Sequence, residues 1–152
     1  MNAGNEYIEL LDIAIYKEVA SEALYVALKG RTTDTGAAGL MQDLANEEKK
    51  HVQWLTDFKE KGTKTGWHRR KVTDLKISEY LSSPDNLEGA GLQDTLIFAI
   101  KREQSSIDFY SRMTGTLQTR SGKALCRKLA NEEIRHKIKL ELLYDDVFLG
   151  ED

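Results

Sequence analysis

The segment LANEEKKH at residues 44–51 returns 85 positions later as LANEEIRH at residues 129–136. Aligned without gaps, residues 14–55 match residues 99–140 at 14 of 42 positions. Three matched pairs outside the quoted segments are Glu18 with Glu103, Tyr25 with Tyr110, and Gly30 with Gly115. Because self-similarity at a fixed offset indicates a repeated structural unit, we interpret the chain as a duplicated hairpin.

Apolar residues within each copy follow the period of an α-helix. The second segment of the first copy advances by steps of four and three through Ala37, Met41, Leu44, Glu48, His51, Leu55 and Phe58. Such steps keep these side chains on one helix face. The matching segment of the second copy, and the first segment of both copies, behave likewise. The sequence therefore predicts four amphipathic helices, each with acidic residues inside its apolar face.

The predicted helices span residues 6–30, 37–60, 92–114 and 122–148. Gly30 and Gly115 are expected at helix C-termini, where glycine is common. Three more glycines are expected in the short turns that follow: Gly36, Gly39 and Gly122. A further short helix is expected around residues 77–81.

The only proline, Pro84, lies between the two copies, which leaves four helices unbroken and joined by one long connection. A helix of about 24 residues is roughly 36 Å long, and about 11 extended residues span that length. The connection is therefore long enough to run from one end of a bundle to the other. We expect one all-α domain over residues 1–152, an antiparallel four-helix bundle with copies at about 6–60 and 92–148 and a long crossover between helices 2 and 3.

The composition is that of an ordinary globular chain, with 40% hydrophobic and 31% charged residues. A net charge of −3 and a pI near 5.7 provide no general attraction to nucleic acid or to an anionic membrane. The longest apolar stretches, such as Leu96–Ile100, are far shorter than the roughly 20 residues of a membrane span. The N-terminal segment lacks the basic and apolar regions of a signal peptide, so a cytoplasmic protein is expected.

Cys126 is the only cysteine, which excludes an intramolecular disulfide and any four-cysteine iron or zinc site within one chain. It stands at a position equivalent to Met41, where we expect it to pack as a small apolar residue. A basic segment at residues 59–71 surrounds Trp67 and His68. We interpret this segment as a solvated loop, with docking of an acidic electron-transfer protein or of nucleic acid as the alternatives.

Six side chains on the predicted apolar faces have the chemistry of metal ligands: Glu18, Glu48, His51, Glu103, Glu133 and His136. Burying an unpartnered carboxylate is costly, so four that converge require a counter-charge, and two divalent cations would supply it. Glu and His three residues apart share a helix face, and this spacing occurs in both copies. Mixed oxygen and nitrogen ligands suit iron, manganese or zinc, with iron expected first and manganese second. Ordinary helix-surface Glu and His pairs without metal are the alternative.

Two further glutamates stand next to the ligand glutamates, at Glu47 and Glu132. Metal-bound histidine usually donates its second ring N–H to a carboxylate or a carbonyl. We predict that Glu47 supports His136 and that Glu132 supports His51. Solvent-facing acids are the alternative.

Tyr25 and Tyr110 lie seven residues, or two helical turns, after Glu18 and Glu103. They therefore return to the same helix face near the metal ligands. We predict that the two tyrosines act as hydrogen-bond donors or radical traps, with plain core packing as the alternative.

The pattern resembles the ferritin-like superfamily, and most closely its rubrerythrin-like di-iron proteins. The resemblance covers residues 6–148 and rests on Glu18, Glu103, EKKH at 48–51 and EIRH at 133–136. Ferritin-like di-iron bundles take one Glu from each of two helices and Glu-x-x-His from each of the others. The resemblance implies a ferritin-like bundle whose di-iron centre reduces hydrogen peroxide, reacts with dioxygen, or oxidises and stores ferrous iron.

The chain departs from its relatives at several points. Rubrerythrins usually add a four-cysteine rubredoxin module, so electrons are expected here from a separate rubredoxin-like protein or flavoprotein. The extra rubrerythrin glutamate is replaced by Ser106, and by Ser21 at the repeat position, which makes the ligand set more similar to that of bacterioferritin. Lys49 replaces the haem-binding methionine of bacterioferritin, so no haem is expected. The tail at 147–152 is too short for the fifth helix of storage ferritins, so no 24-subunit shell is expected. A homodimer is expected.

The leading interpretation is a di-iron oxidoreductase that reduces peroxide or dioxygen with external electrons. Glu18 and Glu103 would be terminal ligands, while Glu48 and Glu133 would bridge the two ions. The alternatives are an iron-handling ferroxidase, a di-iron oxygenase acting on an organic substrate, and a structural bundle without metal. Membrane and nucleic-acid partners are not expected.

Overall fold

The computed structural model describes residues 3–64 and 91–150. The four helices are α1 (Ala3–Arg31), α2 (Thr35–Lys64), α3 (Leu92–Thr116) and α4 (Arg120–Tyr144). A π-helical turn, Asp145–Leu149, continues from the end of α4. These residues contain no β-strand, so the prediction of an all-α four-helix bundle is confirmed. None of their helices has an apolar stretch long enough to cross a membrane.

The helices pack mainly as two hairpins, α1 against α2 and α3 against α4. One apolar cluster joins the C-terminal half of α1 to the N-terminal parts of α2 and α3 and includes Leu28, Met41 and Leu96. A second cluster lies at the opposite end and includes Leu11, Leu55 and the α4 residue Leu129. Each helix contributes to both clusters, so α1 and α4 run opposite to α2 and α3. The polar residues of the candidate site lie between the two clusters.

Two helices, α2 and α4, begin two residues earlier than predicted, at Thr35 and Arg120. The Asp34 carboxylate accepts a 2.7 Å hydrogen bond from the Ala37 amide at the first turn of α2. Thr119 does the same for α4, accepting from the Gly122 amide at 3.0 Å. These caps satisfy amide groups that an α-helix leaves without internal partners, so each helix starts before the residues predicted to form the turn.

The prediction that Gly36, Gly39 and Gly122 lie in turns is therefore wrong, because all three are inside helices. Gly122 has a packing reason to be glycine. A Cβ there would stand 2.7 Å from Thr119 Oγ1 and 3.1 Å from Leu117 Cδ1, closer than carbon and oxygen atoms normally approach. Gly30 and Gly115 fall one residue before the ends of their helices.

The long connection is constrained by the helices on either side of it. The C-terminal part of α2 lies in the cluster at one end of the bundle, and the N-terminal part of α3 lies in the cluster at the other end, as the predicted crossover requires. The short helix expected at 77–81 and most of the basic segment at 59–71 lie outside the described residues. Within α2, Lys59 forms an ion pair with Asp12.

Candidate metal centre

All six predicted ligands meet in the middle of the bundle. Each side chain is at most 2% exposed: Glu18 on α1, Glu48 and His51 on α2, Glu103 on α3, and Glu133 and His136 on α4. The seven-residue helical repeat brings each onto the inner face of its helix. The centre is therefore a polar layer, built by all four helices and closed from solvent by the apolar clusters on both sides.

Ligand atoms of these residues form two overlapping groups, in each of which the atoms lie within 4.8 Å of one another. The Glu18 group consists of Glu18, Glu48, His51 and Glu133. The Glu103 group consists of Glu48, Glu103, Glu133 and His136. Glu48 and Glu133 belong to both groups, whereas every other member belongs to one. Two cations in these groups would share two carboxylates.

The distances inside the groups are those of ligands around an ion. His51 Nδ1 lies 2.9 Å from Glu133 Oε1 and 3.4 Å from Glu18 Oε2. By the repeat, His136 Nδ1 lies 2.8 Å from Glu48 Oε1. An ion bound at 2.0–2.2 Å holds neighbouring ligand atoms about 2.8–3.6 Å apart in tetrahedral or octahedral geometry. The donor atoms are therefore already spaced as a metal shell would space them.

Several of these atoms have no hydrogen-bond partner within the described protein. They are both carboxylate oxygens of Glu48 and of Glu133, one oxygen of Glu103, and His136 Nδ1. Buried polar atoms are almost always satisfied, and a cluster of exceptions requires an explanation. Ligand atoms of these four residues lie within 4.8 Å of one another, and carboxylate oxygens and an imidazole nitrogen are metal donors, so bound cations are partners that would satisfy them.

Without metal, burial and mutual repulsion shift the pKa values of the clustered glutamates. Burial, followed by the charges of Glu48 and Glu103, raises the pKa of Glu133 well above its usual value. Burial also raises the pKa of Glu103. For Glu48, burial would raise the pKa, but the nearby His136 and His51 nitrogens outweigh this effect and lower it. The raised pKa values favour the protonated forms of Glu133 and Glu103 in the metal-free cluster, and bound cations would displace these protons.

The two tyrosines hold the outer ligands by crossing between the copies. Tyr25 Oη donates to Glu103 Oε1, and Tyr110 Oη donates to Glu18 Oε1 at 2.5 Å. Burial raises the pKa of both phenols well above 10, so both remain protonated donors. Each tyrosine thus orients the ligand glutamate of the other copy: Tyr25 orients Glu103, and Tyr110 orients Glu18.

The two glutamates next to the bridging positions, Glu47 and Glu132, make different contacts. Glu47 Oε2 lies 2.5 Å from His136 Nε2, the contact expected for a carboxylate that supports a ligand histidine. Glu132 instead pairs with Arg135 on its own helix at 2.5 Å. An oxygen of Glu132 is within 4.8 Å of nitrogens of both histidines. Support of His51 by Glu132 stays a prediction.

Sequence reasoning missed two buried cations beside the site, Lys17 and Arg102, which are 2% and 7% exposed. They are related by the repeat offset, and Arg102 Nη2 donates to the Lys17 carbonyl at 3.2 Å. Burial and the charge of Arg102 lower the pKa of Lys17 to about 8. A basic residue directly before Glu18 and another directly before Glu103 was the signal available in the sequence.

Trp54 was also missed. Its ring lies 5.1 Å from the His51 ring between centroids, and Lys128 Nζ stands 3.9 Å from the centre of the Trp54 ring. Because Trp54 follows His51 by three residues, helical spacing could have indicated the contact. Cys126 is buried at 1% exposure in the apolar cluster of Leu55 and Leu129, away from the ligand groups.

Comparison with protein-family models and with curated proteins finds no match. Solved structures do match. A hypothetical protein from Pyrococcus furiosus aligns with a TM-score of 0.75 and 22% identity, over 96% of this chain and 92% of that one. A dodecameric thioferritin, the bacterioferritin-related protein from Bacteroides fragilis, aligns with a TM-score of 0.76 and 16% identity, over 97% and 88%. The four-helix architecture of this chain is therefore a ferritin-like fold.

Proposed function

We propose that this chain binds two iron ions in its buried glutamate–histidine cluster and uses them to reduce hydrogen peroxide or dioxygen. The observation that carries the proposal is the cluster of buried carboxylate oxygens without hydrogen-bond partners. Four carboxylates and two imidazoles provide the mixed donors that divalent iron or manganese accepts. Two divalent ions would also neutralise the four negative charges. Within the described residues, several of the carboxylate oxygens have no hydrogen-bond partner.

The ligand roles follow from the two overlapping groups. Glu18 with His51 would hold one ion, and Glu103 with His136 the other, while the shared Glu48 and Glu133 would bridge them. When bound, two iron(II) ions can supply one electron each to a peroxide, which takes up two protons and becomes two water molecules. Iron is preferred to manganese because of the resemblance to di-iron bundles, and no haem is part of the proposal.

The protein's own contribution is to hold and shield the ligands. Tyr25 and Tyr110 keep Glu103 and Glu18 oriented by donating hydrogen bonds. The apolar clusters at both ends limit access of bulk water, which strengthens electrostatic interactions inside the layer. Because each phenol is hydrogen-bonded to a predicted ligand carboxylate, the two tyrosines would also be placed to act as radical traps, and this role is part of the proposal.

The source of electrons separates two versions of the function. In the first version, a separate rubredoxin-like protein or flavoprotein reduces the centre again after each turnover, because Cys126 alone cannot form a cysteine-ligated iron site. In the second version, ferrous iron is itself the substrate, and the centre is a ferroxidase that passes oxidised iron onward. The likeness of the fold to a thioferritin favours keeping the second version.

The test uses metal-free protein loaded anaerobically with two equivalents of iron(II) and mixed with peroxide in a stopped-flow instrument. We expect both ions to be oxidised rapidly, with slow oxidation in Glu133→Ala and normal oxidation in Glu22→Ala, a glutamate of α1 that pairs with Lys49. Absence of fast oxidation in the loaded protein would rule out the redox function. Iron uptake that continues well beyond two ions per chain would select the ferroxidase version.

Self-association is also proposed. The outer face of α1 carries three half-exposed apolar side chains, Tyr16, Val19 and Val26, at 47%, 48% and 54% exposure. Residues three and seven apart on a helix lie on the same face, and exposed apolar faces are typical of protein contacts. The structurally similar thioferritin is described as dodecameric. For this chain we propose at least a homodimer through α1, measurable by sedimentation velocity.

A further inference from the structure

The repeat makes the two ligand groups alike, but the glutamates next to the two histidines, Glu47 and Glu132, make different contacts. Behind His136, the Glu47 carboxylate lies 2.5 Å from Nε2. A neutral imidazole has one proton, and the acceptor at Nε2 holds it there. The other nitrogen, Nδ1, is then left with its lone pair facing the Glu103 group, 2.8 Å from Glu48 Oε1. Glu47 therefore fixes both the tautomer and the orientation of His136.

At His51 the equivalent carboxylate is that of Glu132, which has an oxygen within 4.8 Å of a His51 nitrogen but pairs with a different residue. Glu132 forms an i,i+3 ion pair with Arg135 at 2.5 Å, and within residues 3–64 and 91–150 it makes no hydrogen bond or ion pair with His51. The residue that matches Arg135 is Lys50, which is exposed and pairs with no described acid. Arg135 thus removes Glu132 from the position that Glu47 occupies in the other copy, and His51 packs against Trp54.

From this asymmetry we propose that the Glu103 group binds the first metal ion and holds it more tightly than the Glu18 group holds the second. The inference rests on the proposed di-metal function. A carboxylate on the outer nitrogen makes a ligand histidine more basic and holds its ring in place, and loss of such a partner typically weakens metal binding by about 10–100-fold. We expect the two dissociation constants to differ by roughly tenfold or more.

The experiment is an anaerobic titration of the metal-free protein with cobalt(II), followed by visible absorption and by calorimetry. We expect two resolved binding steps. The variant Glu47→Gln keeps the shape of the side chain but loses its charge, and it should weaken the tighter step by roughly tenfold or more, so that the two steps merge. The matched control is Glu22→Gln on α1, which pairs with Lys49, belongs to neither ligand group and should leave both steps unchanged. Glu132→Gln should leave the tighter step unchanged. Circular dichroism of each variant checks that it is folded.

Two ligand variants assign the steps. Glu103→Ala should abolish the tighter step and leave the weaker one, whereas Glu18→Ala should do the reverse. A third variant, Arg135→Gln, releases Glu132 from its ion pair, and we expect the weaker step to tighten towards the other because Glu132 can then reach His51.

Equal wild-type dissociation constants, or equal weakening by Glu47→Gln and Glu132→Gln, would overturn the inference while leaving the di-metal site in place. The inference also fails if Glu103→Ala abolishes the weaker step. No cobalt binding at all would overturn the proposed function itself, and the ordering of the two positions with it.

Discussion

The two hairpins are alike where they face each other and different where they face outward. Around the metal groups, α1 and α3 both present a glutamate, a tyrosine and a buried serine at repeat-related positions: Glu18, Ser21 and Tyr25, then Glu103, Ser106 and Tyr110. On the outer faces, α1 has Tyr16, Val19 and Val26 where α3 has Lys101, Gln104 and Ser111. The inner face is constrained by one shared site, whereas each outer face is adapted to its own surroundings.

The outer face of α3 is an internal control for that of α1. At the three compared positions α3 carries polar side chains, whereas α1 carries apolar ones. Single exposed apolar residues are common, but these three positions share one helix face, and packing within the described residues does not bury them. This contrast favours contact between α1 and a second copy over simple exposure to water.

The largest expected effect comes from the residues that both hairpins share. We expect Glu48→Ala or Glu133→Ala to lose both metal ions, because each removes a ligand from both groups. Glu18→Ala or Glu103→Ala should lose only one ion. Elemental analysis of iron-loaded protein measures this directly. Retention of one full ion by Glu133→Ala would contradict the bridging role, and Glu22→Ala is the control for loss of a glutamate elsewhere on α1.

The next effect tests the difference between the outer faces. A triple variant, Tyr16→Lys, Val19→Gln and Val26→Ser, gives α1 the outer residues of α3. We expect it to weaken self-association by about 100-fold or more, which is roughly 2.7 kcal/mol, because the apolar contact area is lost. Sedimentation velocity over a range of concentrations measures the change. Lys101→Gln on α3 serves as the control, and an unchanged association constant in the triple variant would exclude the α1 interface.

Sequence alone predicted the parts of the fold that depend on periodicity. Steps of three and four residues identified the helices, and the offset of 85 residues identified the six side chains that converge. Their convergence was predictable because one helix face must be buried, whichever residues it carries. The helix starts were not, since they depend on capping by Asp34 and Thr119, and a glycine alone does not distinguish a turn from the first turn of a helix.

The site itself was only partly predictable for a different reason. Spacing assigns a residue to a helix face, but it does not determine which of two acceptors a flexible side chain takes. Glu47 and Glu132 have the same spacing and the same immediate neighbours, an asparagine and a glutamate, yet one lies against a histidine and the other against Arg135. The burial of Lys17 also depends on packing between α1 and α3, which the repeat does not reveal. Such choices follow from three-dimensional competition between partners.

A smaller effect separates Cys126 from its repeat partner, Met41. Burial raises the pKa of the Cys126 thiol to about 11, from 9.0 in the unfolded chain. Between pH 9 and 11 the unfolded chain loses this proton while the folded one keeps it, so folding stability should fall as the pH rises through that window. A shift of about two pKa units corresponds to about 2.7 kcal/mol. Relaxation of the protein around the thiolate lowers the expected effect to about 2 kcal/mol.

Cys126→Ala should remove this fall. The measurement is the difference in free energy of unfolding between wild type and variant, from denaturant titrations at several pH values from 8 to 11. Other groups titrate in the same range in both proteins and cancel in the difference. A constant difference across the window would mean that the thiol is not buried as described.

The smallest effect concerns the crossed tyrosines, and it tests whether the two copies act on each other's ligands. Tyr25→Phe removes the donor to Glu103, and Tyr110→Phe removes the donor to Glu18, without changing the size of either ring. Each should weaken one cobalt-binding step by roughly tenfold, about 1.4 kcal/mol, the usual size of one hydrogen bond. The crossing predicts that Tyr25→Phe, on α1, affects the Glu103 group while the Glu18 group of its own helix is unchanged. The opposite assignment, with each tyrosine affecting the glutamate of its own helix, would exclude the crossed arrangement, because only contacts between the copies can move the effect from one helix to the other.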